Sequence, residues 1–539
     1  MPGSKPNILW VSFEDTYPFY PCYGDPTAKL PHVERLAAEG CVYRNGFSTA
    51  GVCAPARSAV ITGMYPVSIG THHMRTTHVV DPEHPMPYGA VIPPHVKCFP
   101  EYLRAAGYYC TNNEKTDYQF EAPFTAWDEC SAGAHWRKRP TPETPFFAVF
   151  NPGMTHESGM WPEKTPTLTV NPSRVPVPPT LPDTPEVRLA LARMYTNLET
   201  ADAVLGRLLK ELEEDGLLEN TVLFHWSDHG PLPRGKRWPY DAGIHVPMIV
   251  RWPQGLKAGS RSDRMVSTVD LGPTVLSLCG VDIPNHMQGR AFLGPREAPP
   301  RDVIFAARDR HDESFDQVRA VRDKRYKLIR NGYTNQGYLP WVPYLNRHPI
   351  LQEMRRLDRR GELKGSAALL MAPTRRAEEL YDTETDPWET VNLIDDPNHQ
   401  GAARRLRGAL LDWQKEVKDL GDENETDMVR RWVPDLEQPV TSPPVFIPMG
   451  DALPGMECGT KERSEWHLAG PAEVQIHTPT QGASIGYRFD DKEGTPWRLY
   501  VSPVSLPPGA CRLFAKAIRI GYQESPQAKM AFIVGEKST

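Results

Sequence analysis

Across its first 290 residues the chain alternates short apolar runs with longer stretches of helical periodicity, which restricts it to a few architectures. Residues 7–13 (NILWVSF) read as a buried strand. Further strands follow at Phe146–Phe150, Thr221–Trp226 and 246–251. Between them, residues 32–40 carry Val33, Leu36 and Ala37 at helical spacing and close on Gly40. Residues 98–106 form a helix ended by Gly107, and residues 185–216 a long amphipathic one. Strands joined by helices imply an α/β fold, a mostly parallel sheet sandwiched by helices. In such sheets, sites form beyond the carboxyl ends of the strands, so polar residues just after the apolar runs are the candidates for chemistry.

The pattern then changes. Strand-like runs at 302–307, 317–322 and 326–329, with Asp323 at a tight turn, and a helix at 406–417 indicate a smaller α+β subdomain. Residues 430–455 are rich in proline and read as a linker. Beyond them, TPTQGASIGYRFDD, WRLYVSPVSLPPG and CRLFAKAIRIGY alternate apolar with polar residues between glycines and prolines, as a small β-sandwich does. This tail resembles the C-terminal β-module of chitobiase-like glycan enzymes. The expected division is 1–298, 299–428, a linker at 429–455, and 456–539.

A net charge of −6 and a pI near 6.3 argue against nucleic acid as a partner, which would call for a basic surface. They leave room for an anionic ligand in a locally positive pocket. No apolar run reaches the length of a membrane span, and no secretory leader is visible. As written the chain reads as cytoplasmic, or as periplasmic or secreted had a leader been removed. The nine cysteines (22, 41, 53, 98, 110, 130, 279, 458 and 511) are odd in number and irregularly spaced. They form no disulfide framework or zinc ribbon and read mostly as buried small hydrophobes.

Three segments follow apolar runs or open helices in ways that suggest chemistry. Glu14 and Asp15 directly follow the first strand; a hard cation would relieve their repulsion, and a solvated turn is the alternative. Ser227-Asp228-His229-Gly230 follows the strand TVLFHW and offers a carboxylate and an imidazole, with an ordinary loop as the alternative. Cys53-Ala54-Pro55-Ala56-Arg57 opens a helix, Pro55 suiting its first turn. Arg57 lies one turn beyond Cys53 on the same face, so an oxygen anion at position 53 would feel both the helix dipole and the guanidinium.

CAPARSAVITGMYP, with its Cys-x-Pro-x-Arg and following Thr62-Gly63, resembles the motif of type I sulfatases in the alkaline phosphatase superfamily, with Ala56 where many members have serine. The resemblance covers roughly residues 6–425. PNILWVSFED resembles the family's opening strand and carboxylate pair, with Glu14 where aspartate is commoner. Lys115 falls where the family has Gly-Lys-x-His, but Glu114 replaces the glycine and Asp117 the histidine. His156 in NPGMTHES, SDHG, Lys236 in GKRWPYDAGIHVP, and ELYDTETDPWETVNL match further family segments.

The resemblance implies that Cys53 is converted by a formylglycine-generating enzyme to formylglycine. One hydroxyl of the hydrated aldehyde attacks sulfur, and the other expels sulfate. It also implies one divalent metal, calcium as the family expectation and manganese as the option the histidine suggests, held by Glu14, Asp15, Asp228 and His229 together with residue 53. Arg57, Lys115 and Lys236 would neutralise the sulfate, and His156 would be a general acid or base. THHMRTTH at 71–78 suggests His72, His73 and Arg75 as substrate contacts, and Asp117 is expected to join them as a lysine-orienting or substrate-binding group. The expected substrate is a sulfated sugar or another small sulfate ester. The alternatives are a phosphonate monoester or phosphodiester hydrolase of the same superfamily, or a glycan-binding protein with a dead site.

Overall fold

A computed structural model describes residues 5–76, 87–435, 437–449, 464–468, 470–492 and 494–535. Its centre is an eight-stranded sheet built from β1 (Asn7–Ser12), β2 (Cys41–Phe47), β3 (Tyr109–Asn113), β4 (Glu129–Cys130), β5 (Phe146–Phe150), β6 (Thr221–Trp226), β7 (Met248–Arg251) and β8 (Ser260–Ser267). The order is β4-β3-β5-β1-β6-β7-β2-β8. Only β7 runs against its neighbours, β6 and β2; the other pairs are parallel. The α/β expectation holds.

Alternation along β1 sets the two faces. Leu9 and Val11 join a core with Leu191 and Leu205 of the Pro185–Glu214 helix. Ile8 and Trp10 join the opposite core with Val60, Ile61, Leu103 and Val275. The 30-residue helix is capped by Thr184, whose side chain accepts the Val187 N–H. Gly40 ends its helix in extended backbone (φ −123°), so handedness is not its reason. A Cβ there would sit 2.5 Å from the Val250 carbonyl oxygen, and close packing on β7 excludes one.

A four-stranded antiparallel sheet follows: β9 (Ile304–Arg308), β10 (Val318–Arg322), β11 (Tyr326–Asn331) and β12 (Glu378–Asp382). Leu406, Leu410 and Trp413 of the Gln400–Val417 helix pack on Phe305, Val321 and Leu328 of this sheet. The Asp323 carboxylate accepts the N–H groups of Arg325 (2.7 Å) and Tyr326 (2.6 Å), fixing the tight turn.

The C-terminal module comprises β13 (Val445–Met449), β14 (Glu465–Leu468), β15 (Glu473–His477), β16 (Ser484–Arg488), β17 (Arg498–Leu499), β18 (Val504–Ser505), β19 (Gly509–Ile518) and β20 (Ala528–Val534). Its two sheets, β13-β15-β18 and β14-β20-β19-β16-β17, share a core containing Phe446, Val474, Leu513 and Phe532. Part of the expected 429–455 linker is therefore structure. The Glu425–Trp432 helix runs into it, and β13 already pairs with β15. Proline 448 is accommodated inside β13 because that strand lies at a sheet edge. The module docks on the layer built around the eight-stranded sheet. Lys97 donates to Ser484 Oγ (2.9 Å), Arg104 to the Trp497 carbonyl (2.9 Å), and Gln438 to the Gly89 carbonyl (3.0 Å). Among the described residues no helix is long and apolar enough to cross a membrane.

Candidate active site

β1 lies between β5 and β6, where the chain switches direction across the sheet, and the loops leaving the carboxyl ends of these strands converge. β1 delivers Glu14 and Asp15, β6 delivers Asp228 and His229, β5 leads to Asn151 and His156, and β3 leads to Lys115. Cys53 is the first residue of the Cys53–Thr62 helix and is 1% exposed. Its Sγ lies 3.1 Å from His229 Nε2 and 3.8 Å from Glu14 Oε1. Asp15 holds a left-handed backbone (φ +50°), a strained geometry at a point where its main chain turns sharply off the strand.

Ligating atoms of Asp15, Cys53, Asp228 and His229 lie within 4.8 Å of one another, and those of Glu14, Asp15 and His156 form an adjoining group. The ring nitrogen Nδ1 of His229 is 3.0 Å from the Gly230 carbonyl oxygen, which can only accept, so Nδ1 carries a hydrogen. In the neutral ring Nε2 then presents a lone pair, 3.2 Å from Asp15 Oδ1. Asp15 Oδ1 is buried with no hydrogen-bond donor. Two facing electron pairs in a buried site need a proton or a cation between them. Burial disfavours charge on His229, but Asp228, Asp15 and Cys53 raise its pKa to about 9. The donor set, oxygen-rich with one imidazole, fits a divalent metal.

Three cations close the site. Arg57 donates from Nε to Asp228 Oδ2 (2.9 Å) and from an Nη to Asn151 Oδ1 (3.1 Å), and its second Nη is buried without a partner. Lys115 pairs with Glu14 and stands 3.6 Å from Asp117. Lys236, 2% exposed, donates to Asp15 Oδ2 (2.5 Å) and lies 3.1 Å from Glu157 Oε1 and 3.3 Å from His156 Nε2. Burial opposes its charge, yet Asp15 and Glu157 hold its pKa above the ordinary lysine value. Burial raises the Asp15 carboxyl and Lys236 with His229 outweighs it, so the group stays ionised. The Ser158 N–H points at His156 Nδ1 (3.3 Å), and Nε2 faces the Lys236 ammonium at 3.3 Å. Burial, then Lys236, lowers the pKa of that ring.

Thus Glu14, Asp15, Cys53, Arg57, Lys115, His156, Asp228, His229 and Lys236 come together. Arg75 and Asp117 face each other at the rim, 3.5 Å apart and both at positive φ. His72 and His73 do not join them. They are 3% and 6% exposed, their rings are 4.1 Å apart, and His73 points toward Glu425 of the smaller subdomain. Burial holds His72 near a pKa of about 4 and His73 lower, so both are neutral core histidines. A histidine-dense segment gave no sign of which rings turn inward. His78 of that segment, and Cys458, lie outside the described residues.

Residues not expected from the sequence also enter the site. Asn151 directly follows β5, where the strand-end rule would have found it. Glu157 and Arg237 adjoin His156 and Lys236, but their pairing across the fold has no local signal. Arg237 Nη1 and Nη2 donate to the two Glu157 oxygens (3.1 and 2.6 Å). Tyr344, from the smaller subdomain, is within electrostatic reach of Glu157, Lys236 and Arg237; burial, then Glu157, raises its pKa to about 12 against the opposing pull of Lys236 and Arg237. Eight of the nine cysteines are described and all are unpaired; most are buried, as expected, with Cys22 and Cys511 half-buried and Cys130 exposed.

Residues 6–138 and 132–281 match the sulfatase family profile, and residues 229–340 match that of the N-sulphoglucosamine sulphohydrolase C-terminal region. An ulvan-active sulfatase of Formosa agariphila is 40% identical over 97% of this chain and 90% of its own. Human N-sulphoglucosamine sulphohydrolase is 27% identical over 74% of this chain and 87% of its own. Among solved structures, a protein in complex with its substrate D-glucosamine-2-N,6-O-disulfate aligns with a TM-score of 0.55 at 18% identity, covering 78% of this chain and 99% of that one. The phosphonate monoester hydrolase of Agrobacterium radiobacter aligns with a TM-score of 0.56 at 16% identity, over 78% of this chain and 97% of that one. At such identities these two establish the shared fold alone.

Proposed function

The chain belongs to the sulfatase family of hydrolases, and on that premise we propose that it removes sulfate from a sulfated carbohydrate through a formylglycine derived from Cys53 and one calcium ion. The observation that carries this reading is the position of residue 53. It opens a helix, borders a carboxylate-rich cluster fit for a cation, and is ringed by Arg57, Lys115 and Lys236. A formylglycine-generating enzyme is the maturation partner this requires. Glu14, Asp15, Asp228 and His229 would hold the metal, which when bound supplies Lewis-acid polarisation of a sulfate oxygen.

The remaining roles belong to the protein's own groups. Arg57, Lys115 and Lys236 neutralise the non-bridging sulfate oxygens, and their fixed positions avoid reorganisation during the reaction. His156 Nε2 stands 3.3 Å from the Lys236 ammonium, and the pair together deliver a proton to the alcohol oxygen as it departs. Arg75 and Asp117 contact the sugar at the rim. A carbohydrate leaving group is supported by the relatives' activities. It is also supported by three exposed aromatic side chains, Phe315, Tyr333 and Trp341, in the stretch leading to Tyr344. Their apolar faces suit the hydrogen-bearing faces of sugar rings.

The test is protein produced with the maturation enzyme. Its Cys53 peptide should carry an aldehyde trapped by a hydrazine reagent, and it should release sulfate from sulfated glycans faster than it cleaves phosphodiesters. An alkylatable thiol under those conditions, or a preference for phosphodiesters, would overturn the assignment.

A further inference from the structure

A buried chain of charges runs behind the candidate site, and it has no part in the roles assigned so far. Glu157, 2% exposed, accepts both terminal nitrogens of Arg237 and lies 3.1 Å from Lys236 Nζ, while its own N–H donates to Asp15 Oδ2 (2.7 Å). Arg237 is 5% exposed and holds φ +77°, a left-handed backbone a non-glycine residue adopts only under constraint. That geometry lets the Arg237 N–H donate to the Gly51 carbonyl (2.6 Å), two residues before Cys53. Arg237 Nε also reaches His311 Nε2 (3.2 Å) in the smaller subdomain, and burial keeps His311 neutral with a pKa of about 4. His348 approaches Glu157 from the same side at 4.0 Å.

We propose that Glu157 and Arg237 are positioning residues that set the ammonium of Lys236 toward the sulfate, with the smaller subdomain completing that setting through His311. Without Glu157 the only carboxylate among the described residues that touches Lys236 is Asp15, at 2.5 Å. The lysine would then collapse onto a metal-ligand carboxylate and compete with the cation. A second carboxylate, itself clamped from behind by a bidentate guanidinium, balances that pull from another direction. Arg237 in turn keeps Glu157 ionised: burial would raise the carboxyl, and Arg237 and Lys236 hold it well below the usual range. Because Arg237 also bonds the loop before Cys53, lysine and nucleophile are tied to one frame. The inference deepens the sulfatase reading and rests on it for the identity of the anion.

Three full-length, calcium-loaded proteins decide the matter: wild type, Glu157→Gln, and Glu157→Gln combined with Arg237→Met. Each is measured for thermal stability, for affinity toward inorganic sulfate by calorimetry, and for kcat and KM on a sulfate ester. Glu157→Gln strands the buried guanidinium and should lose both stability and activity. The double variant removes both charges and should regain stability. It should still bind sulfate about tenfold more weakly and turn over about 10²-fold more slowly, the scale of misplacing one charge-stabilising donor. Recovery of wild-type sulfate affinity and kcat together with stability would overturn the proposal, since Glu157 would then only balance Arg237. A double variant that stays unstable is replaced by Arg237→Lys, which keeps the charge but loses the bidentate clamp and the His311 contact; unchanged sulfate affinity there would equally overturn it. Sulfate binding needs no turnover, so a wild type that binds sulfate without hydrolysing esters would sink the enzymatic reading and leave this comparison intact.

Discussion

At the scale of single residues, the site is a balance of buried charges in which most groups have two partners. His156 offers the sharpest test, because a proton donor is needed only when the departing oxygen is basic. His156→Ala should cost about 10²–10⁴-fold in kcat on a sugar sulfate and far less on p-nitrophenyl sulfate, whose leaving group departs as a stable anion. Equal losses on both would show that the ring only shapes the pocket. Asp228 is tied to Arg57 at 2.9 Å and belongs to the metal-fit cluster. Calcium should therefore raise the unfolding temperature of the wild type, by an amount that grows with its concentration, and chelation should reverse the rise along with activity. In Asp228→Asn that calcium-dependent shift should vanish. Much of this site was legible because its residues fall immediately after apolar strands or at a helix start. His72 and His73 were misleading for a physical reason: composition registers the imidazoles but not the direction each ring turns. Glu157 and Arg237 escaped notice because a bond joining residues 80 apart in sequence leaves no periodic trace.

At the scale of elements, β1, β5 and β6 were readable because both faces of a central parallel strand are buried and the sequence becomes a continuous apolar run. β2 and β8 were not, since CVYRNGF and SRSDRMVS carry exposed charged residues toward the sheet edge. The reversal of β7 was equally silent, because strand direction depends on the path of the preceding loop. The stretch from β10 to Tyr344 carries its own prediction. Trp341 is 70% exposed three residues before Tyr344, with no structural duty that its exposure reveals. Trp341→Ala should leave the unfolding free energy within about 0.5 kcal/mol of wild type. It should raise KM for a sulfated oligosaccharide about tenfold, a cost near 1.4 kcal/mol, without changing rates on an aryl sulfate. A KM unchanged on the longer substrate would remove this stretch from the sugar-binding surface.

At the scale of the molecule, buried histidines set the response to acid. Burial lowers His72, His225, His245, His311 and His348 to about 4 from an ordinary 6.5, and His73 further. In the unfolded chain these rings take up protons near pH 6.5, whereas the folded state refuses them until about pH 4. Their contribution is therefore complete above the unfolded pKa and lost as pH falls through this window, at up to about 1.4 kcal/mol per pH unit for each ring. Denaturant titrations at pH 7.5 and 5 should show stability falling steeply, with uptake of several protons on unfolding at the lower pH; uptake below about two would contradict this. The terminal module has a further consequence. Gln438, just ahead of β13, donates both to the Gly521 carbonyl of the module and to the Gly89 carbonyl, Ala90 N–H donates to the Gln119 carbonyl (2.8 Å), and two residues before Gln119 stands Asp117 beside Lys115. Cutting the gene where the composition changes would thus not liberate a self-sufficient catalyst from a detachable cassette. It would slacken the guy-line of Lys115, so swapping such tails between relatives should transmit to turnover.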